Sequence, residues 1–410
     1  MELDSAFGKA GVNVHFLVKK TRTADVKFAE MCEESAIKQI STRLLSEGKG
    51  FSSRVFRTTF EFQDDRKFSL VVKLPTQDYW EKMNEAEGLT EEERESNTRT
   101  LTRMHNNECD AYELLAEWTD IPAARTFYLE RADGENKMGM IFMEDLSERG
   151  GFFGLFHSAT AAQTIHLAVH VADFQAHVEM LPEERWRGRY KEGMYTKPEI
   201  GGIWKKIMKI CLEYPDQEIV KIVEKFLETD IRALNLFTLI DMSDECRAST
   251  ICHGDLWTDN VCIGKDEKGQ ATNEIVAIAD WQTLFIGNPL FDLARFLSNC
   301  VDADERRKCE TEAISAFYDR LQSKVAEHGK KPRFSRQQAA EFYALAFAEQ
   351  IQVLLVMFAL IVHPLRNSAD PEDVEKRERL ADRLKQAAKD AMPTARKFEF
   401  GRRFGFDASE

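Results

Sequence analysis

The sequence predicts an α+β protein of two lobes: a small antiparallel sheet with one key helix, then a larger, mostly helical part that carries a β-hairpin. In the first part Phe56, Thr58, Phe60 and Phe62 alternate along one face of a segment, and a second strand-like run, Phe68–Leu74, follows the turn at 63–66. From Thr160 onward the spacing becomes helical, with Ile165, Val169, Ala172 and Ala176 on one face. Within that helical part, 261–263 and 275–279 are short strand-like runs joined by a charged turn, 264–269, with a glycine at each end.

A chain of 410 residues is long enough for two lobes, here 1–145 and 146–410, with the boundary near 145–151. A net charge of −14 argues against nucleic acid or an anionic membrane as a main partner. The eight cysteines show no CxxC pairing, and the opening Met-Glu-Leu-Asp lacks the pattern of a secretory leader. Free thiols and a cytoplasmic location are therefore expected. The longest apolar run, 351–362, is too short to span a bilayer and reads as a buried helix.

In chain order, 36–45 reads as a short helix leading into a turn that contains Gly48, Gly50 and Ser52. Such a turn lets backbone N–H groups approach a phosphate; a plain hairpin turn is the alternative. Lys73 lies inside the apolar strand Leu70-Val71-Val72-Lys73-Leu74, so it needs either a path to water or an anionic partner. The acid-dense stretch 81–100 reads as a solvated loop or exposed helix without chemistry. The next helix gathers Leu101, Met104, Ala111 and Leu115 on one face, and at 100° per residue Glu108 falls about 40° from Met104 and about 20° from Leu115. Glu113 points away. A glutamate on the buried side and a lysine in an apolar strand explain each other as an ion pair.

The run 138–146 is a strand with an acidic exit. In a two-lobed nucleotide-binding protein its end, Met143, Glu144, Asp145 and Leu146, is the connector that meets the adenine ring; a core strand followed by a loop is the alternative. His166 and His170 stand at i, i+4 but lack a third ligand, so no zinc site is expected. Further helices are expected over 202–240, 336–362 and 371–391.

The chemistry-bearing stretch is His253-Gly254-Asp255 followed by Asn260, the His-x-Asp-x4-Asn spacing of a kinase catalytic loop. Phosphoryl transfer needs a carboxylate beside the attacking hydroxyl and oxygen ligands for magnesium. Asp255 suits the first task. Asn260 and Asp280, one before the first hairpin strand and one after the second, suit the other.

Taken together, the glycine turn, strand lysine, helix glutamate, connector, catalytic loop and strand-end aspartate resemble the protein-kinase-like superfamily. The wording of 252–260, Asp280-Trp281-Gln282 and 288–294 looks like the CHK kinase-like, or ecdysteroid kinase-like, family, and its nematode members in particular. That family is grouped with aminoglycoside phosphotransferases and choline kinases. The resemblance covers roughly 40–364 and is specific between His253 and Asp292. It implies a two-lobed protein-kinase-like fold, ATP and Mg2+ as cofactors, and a small hydroxylated substrate. It further implies Asp255 as catalytic base, Asn260 and Asp280 as metal ligands, and Lys73 with Glu108 ordering the ATP phosphates. Gly48, Gly50, Ser52 and 143–146 would touch ATP, while His253 and Asp292 support the loop.

Two positions depart from the family pattern. Asp259 stands where relatives often carry asparagine, and Gln282 where choline kinases tend to carry glutamate. Only 281–291 separate Asp280 from Asp292, which leaves no room for the activation segment of a protein kinase. Trp257, Trp281 and Phe285 are either walls for an apolar substrate or core. A nucleotide-binding pseudokinase acting as an interaction module, and a choline or ethanolamine kinase, are the competing readings.

Overall fold

A computed structural model describes residues 12–46, 52–76, 90–134, 137–190 and 193–405. The chain forms two compact units. One comprises Met1–Thr119, Ala123–Arg149 and Ala279–Gln282; the other comprises Asp120–Pro122, Gly150–Ile278 and Thr283–Glu410.

The first unit opens with helices α1 (Val14–Ala24) and α2 (Val26–Glu34), capped by Asn13 and Asp25. Strands β1 (Ile37–Leu44), β2 (Ser53–Phe62) and β3 (Lys67–Pro75) follow, then the long helix α3 (Glu91–Glu117), β4 (Thr126–Glu130) and β5 (Met140–Glu144). The sheet order is β1-β2-β3-β5-β4, antiparallel throughout. Phe56, Thr58, Phe60 and Phe62 all face inward and are buried, as alternation requires. Phe28 of α2 packs on Phe60 with ring centroids 4.9 Å apart. Burying one such ring contributes about 2–3 kcal/mol.

Residues 36–45 were expected to be helical and are instead strand β1. Its β-branched residues Ile37, Ile40 and Thr42 favour a pleated backbone, and its register against β2, from Ile37↔Phe62 to Leu44↔Phe56, supplies hydrogen bonds that a short helix lacks. The acidic stretch, where described, is the first turns of α3.

In the second unit β6 (Gly150–Gly151) pairs with β8 (Val261–Lys265), and β8 with β9 (Ala271–Ile278). A separate pair joins β7 (Thr250–Cys252) to β10 (Phe285–Gly287). Helix α4 (Ala161–Met180) starts in a capping box between Thr160 and Gln163. The helix expected over 202–240 is broken into α5 (Ile200–Met208), α6 (Gln217–Glu228) and α7 (Ile231–Asn235), continued by a π-helical turn, Leu236–Asp241. A 3-10 turn, Lys209–Glu213, prolongs the first segment toward Pro215, which cannot continue it, and Asp216 and Asp230 cap the next two.

The unit is completed by α8 (Phe291–Cys300), α9 (Ala303–Ala326), α10 (Arg336–Met357) and α11 (Pro371–Lys397). All ten residues of α8 are buried. The run 351–362 lies in a buried helix, as expected, within a longer helical stretch. The helical stretch Arg336–Leu365 is 30 residues, long and apolar enough to cross a membrane, and 78% of its most apolar window is buried inside the protein. Glu349, Gln350 and Gln352 are buried within it. All eight cysteines are free thiols. The α+β, protein-kinase-like expectation matches these elements: an antiparallel sheet with one long helix in the first unit, and a helical second unit carrying the hairpin.

Candidate active site

In the first unit Lys73 points inward from β3, and its side chain is 8% exposed. Its Nζ lies 2.6 Å from Glu108 Oε2 and 2.7 Å from Asp280 Oδ1. Glu108 comes from α3, on the face that helical spacing assigns it. Burial disfavours the ammonium, but the Asp280 and Glu108 carboxylates outweigh it and hold Lys73 protonated, above the usual lysine range. Burial pushes the Glu108 carboxyl upward, opposed by Lys73. Glu113 is exposed and pairs with Arg131 at 2.7 Å.

Asp280 follows β9 by two residues and has φ 63°, a left-handed conformation that Asp tolerates better than most residues. Gln282 Nε2 donates to Asp280 Oδ2 at 3.3 Å, while Ser52 Oγ donates to Gln282 Oε1 at 2.7 Å. The lysine, the αL backbone and the glutamine together orient this carboxylate. Asp145 at the end of β5 pairs with Arg57 at 2.6 Å, Met143 and Leu146 are buried, and Glu144 is partly exposed. Gly48 and Gly50 lie outside the described residues.

In the second unit the loop after β7 is pinned through its backbone. The His253 and Gly254 N–H groups donate to Asp292 at 2.7 and 3.0 Å. Tyr195 Oη donates to the Gly254 carbonyl at 2.7 Å, and Thr283 Oγ1 donates to the His253 carbonyl at 3.1 Å. The Asp255 N–H donates to His253 Nδ1 at 3.1 Å. Glycine is required at 254. Its φ is +86°, and a Cβ there would lie 2.2 Å from the Thr283 carbonyl oxygen. Burial raises the Asp292 carboxyl, against the pull of His253 and the two N–H donors.

Asn260 Nδ2 donates to the Asp255 carbonyl at 2.8 Å and reaches Asp255 Oδ2 at 3.3 Å. With its nitrogen so used, the amide offers its oxygen on the other side, the donor type a hard cation prefers. Asp255 Oδ1 accepts from Arg295 of α8. Hairpin register places Val261, next to Asn260, opposite Ile278.

A family model, DUF1679, described as "Uncharacterized oxidoreductase dhs-27", matches residues 19–394. The chain belongs to this family. A curated relative, the Caenorhabditis elegans "Uncharacterized oxidoreductase dhs-27", is 26% identical over 362 residues, covering 84% of the chain. The chain spans only 42% of that relative's length. Among solved structures, a choline kinase from Cryptosporidium parvum aligns with a TM-score of 0.48 at 12% identity, covering 95% of this chain and 98% of that one. Aminoglycoside phosphotransferase APH(2'')-Ib, ADP-bound, aligns with a TM-score of 0.42 at 13% identity, covering 89% and 98%.

Of the two readings open for Trp281 and Phe285, the packing selects core: they are 2% and 1% exposed. Phe285 packs edge-on against Phe291 and at a tilt against Tyr195, with ring centroids 4.9 and 5.9 Å away. Trp257 is partly exposed. His166 meets the Asn273 carbonyl at 2.8 Å, and no cluster of three or more metal-type side chains occurs among the described residues.

Arg295, Tyr195 and Gln282 contribute to the site, and sequence reasoning assigned none of them this part. The signal for Arg295 was present: it is the one charged residue after Asp292 in its helix and stands between Ala294 and Phe296, the same anomaly that singled out Lys73.

Proposed function

We propose that this chain is a phosphotransferase that moves the γ-phosphoryl group of ATP to a hydroxyl of a small organic molecule. The observation that supports this most is Lys73, a buried ammonium held by Glu108 and Asp280 within one unit. An ammonium fixed this way stays charged and in place, and is suited to meet phosphate oxygens. In this reading Lys73 binds ATP phosphates and Glu108 keeps its ammonium in place. Ser52 and residues 143–146 contribute to holding the nucleotide.

Asp255 orients the acceptor hydroxyl and takes its proton as the new O–P bond forms and the bond from the γ-phosphorus to the β-phosphate oxygen breaks, releasing ADP. His253 and Asp292 hold the loop. In this reading Asp280 would offer magnesium a carboxylate and Asn260 an amide oxygen, each the kind of ligand that ion takes alongside phosphate oxygens and water. When bound, Mg2+ neutralises charge developing on the phosphates.

The motif wording supports a CHK or ecdysteroid kinase-like enzyme, with a sterol-, glycoside- or xenobiotic-like alcohol as substrate. The relative's oxidoreductase name is not carried over to this chain, which spans only 42% of that protein. Among the described residues the strand pairings are all antiparallel, and the sequence has no G-x-G-x-x-G fingerprint, both unlike a dinucleotide-binding βαβ unit. The test is mass spectrometry of a metabolite extract incubated with Mg-ATP and the protein. A metabolite gaining one phosphate with wild type but not with Asp255→Ala supports the proposal. ATP binding with no phosphorylated product from a broad alcohol panel would favour a pseudokinase module.

A further inference from the structure

Helix α8 holds the loop at two points one turn apart. At its start, Asp292 accepts the His253 and Gly254 N–H groups. Three residues on, Arg295 reaches the side chain of Asp255 itself, bonding Oδ1 through Nη2. Arg295 is buried, and its Nη1 contacts Gln350 Oε1 of α10 at 3.4 Å. Gln350 Nε2 in turn donates to Glu349, which also accepts from Gln352 at 3.0 Å. One helix thus uses a carboxylate to fix the loop's backbone and a guanidinium to fix its working side chain.

The choice of arginine matters. A guanidinium does not deprotonate in proteins, and its planar fork sets the direction of the carboxylate it binds; a lysine supplies a point charge without that geometry. With Asn260 near Oδ2 and Arg295 on Oδ1, rotation of the Asp255 carboxylate about its own axis is opposed from both sides. We propose that Arg295 is a positioning residue for phosphoryl transfer, holding Asp255 in the orientation from which it takes the acceptor's proton. This rests on the phosphotransferase reading above.

The experiment follows Mg-ATP hydrolysis, with water as acceptor, in the full chain and in Asp255→Ala, Arg295→Ala, Arg295→Lys and the double alanine variant. Arg295→Lys keeps a cation in the buried site, so it serves if the alanine variant fails to fold. Expected for Arg295→Lys is a loss in kcat of about 100-fold, the scale of an ångström-sized misplacement, with KM for ATP changed less than about twofold. Guanidinium ion added to Arg295→Ala should restore kcat at least about tenfold, and should do nothing for the double variant. Folded Arg295→Lys with wild-type kcat overturns the inference, as does a rate loss from Arg295→Ala that persists in full in the Asp255→Ala background. If Asp255→Ala hydrolyses ATP as fast as wild type, the phosphotransferase reading falls first and the inference with it.

Discussion

Replacing Glu108 with alanine removes one of the two anions that hold Lys73. The lysine and glutamate side chains are 8% and 1% exposed, while the remaining partner, Asp280, is 30% exposed and 2.7 Å away. Removing one member of a buried pair costs about 3–5 kcal/mol because the other charge is left uncompensated. Asp280 still meets the ammonium, so the expected loss lies at the lower end, about 3 kcal/mol. Glu113, five residues on along the same helix, provides the contrast. Its pair with Arg131 is 57% and 39% exposed, and Arg131 keeps Asp110 at 2.5 Å. Exposed pairs contribute roughly 0–1 kcal/mol, so Glu113→Ala should cost less than about 0.5 kcal/mol. Urea unfolding followed by circular dichroism and tryptophan fluorescence measures both. Equal destabilisation of the two variants, or a larger effect at Glu113, would refute the reasoning, because it would mean that burial and pairing on α3 do not govern its energetics.

Glu349 should make stability depend on pH. Burial pushes its carboxyl from 4.5 up to about 8, against the opposing Arg295 charge and the two glutamine hydrogen bonds. Between those values the folded chain keeps a proton that the unfolded chain releases, so stability falls as pH rises through the window. In Glu349→Gln that slope should flatten by an amount on the order of a few kcal/mol across the window. Parallel pH–stability curves for wild type and variant would rule this out. Gly254→Ala should be severe, because φ is +86° and the added Cβ would sit 2.2 Å from a main-chain oxygen. The left-handed backbone alone costs about 1–2 kcal/mol, and the clash adds to it. A variant with wild-type unfolding midpoint and turnover would contradict the packing described.

The parts of the site that were legible in the sequence are those where a residue contradicts its surroundings. Lys73 inside an apolar strand and Glu108 inside an apolar helical stripe each pointed to the other, because a buried charge needs a partner. The strands 56–62 and 68–74 were legible because one of their faces is core, and alternation records that. Strand β1 was not legible: its burial alternates only weakly, and its conformation is decided by pairing with β2, a contact distant in sequence. The break between Glu213 and Gln217 has a local mark in Pro215, which cannot continue a helix. Trp281 and Phe285 illustrate the opposite difficulty, since an aromatic beside a reactive loop has the same composition whether it lines a cavity or fills a core. Tyr195 was invisible for another reason. It reaches Gly254 from 59 positions away, and no local pattern marks that meeting.

The run from Arg336 to Leu365 has a further consequence during synthesis. A segment of this length, with a run as apolar as 351–362 within it, competes between collapse onto its own chain and partition into any lipid surface it meets. Glu349, Gln350 and Gln352 sit at its midpoint, where one ionised side chain adds roughly 2.5–3.5 kcal/mol to the cost of insertion. The side chains that back Arg295 in the finished protein thereby bias the nascent helix toward aqueous folding, and replacing all three with leucine would remove that bias along with the support.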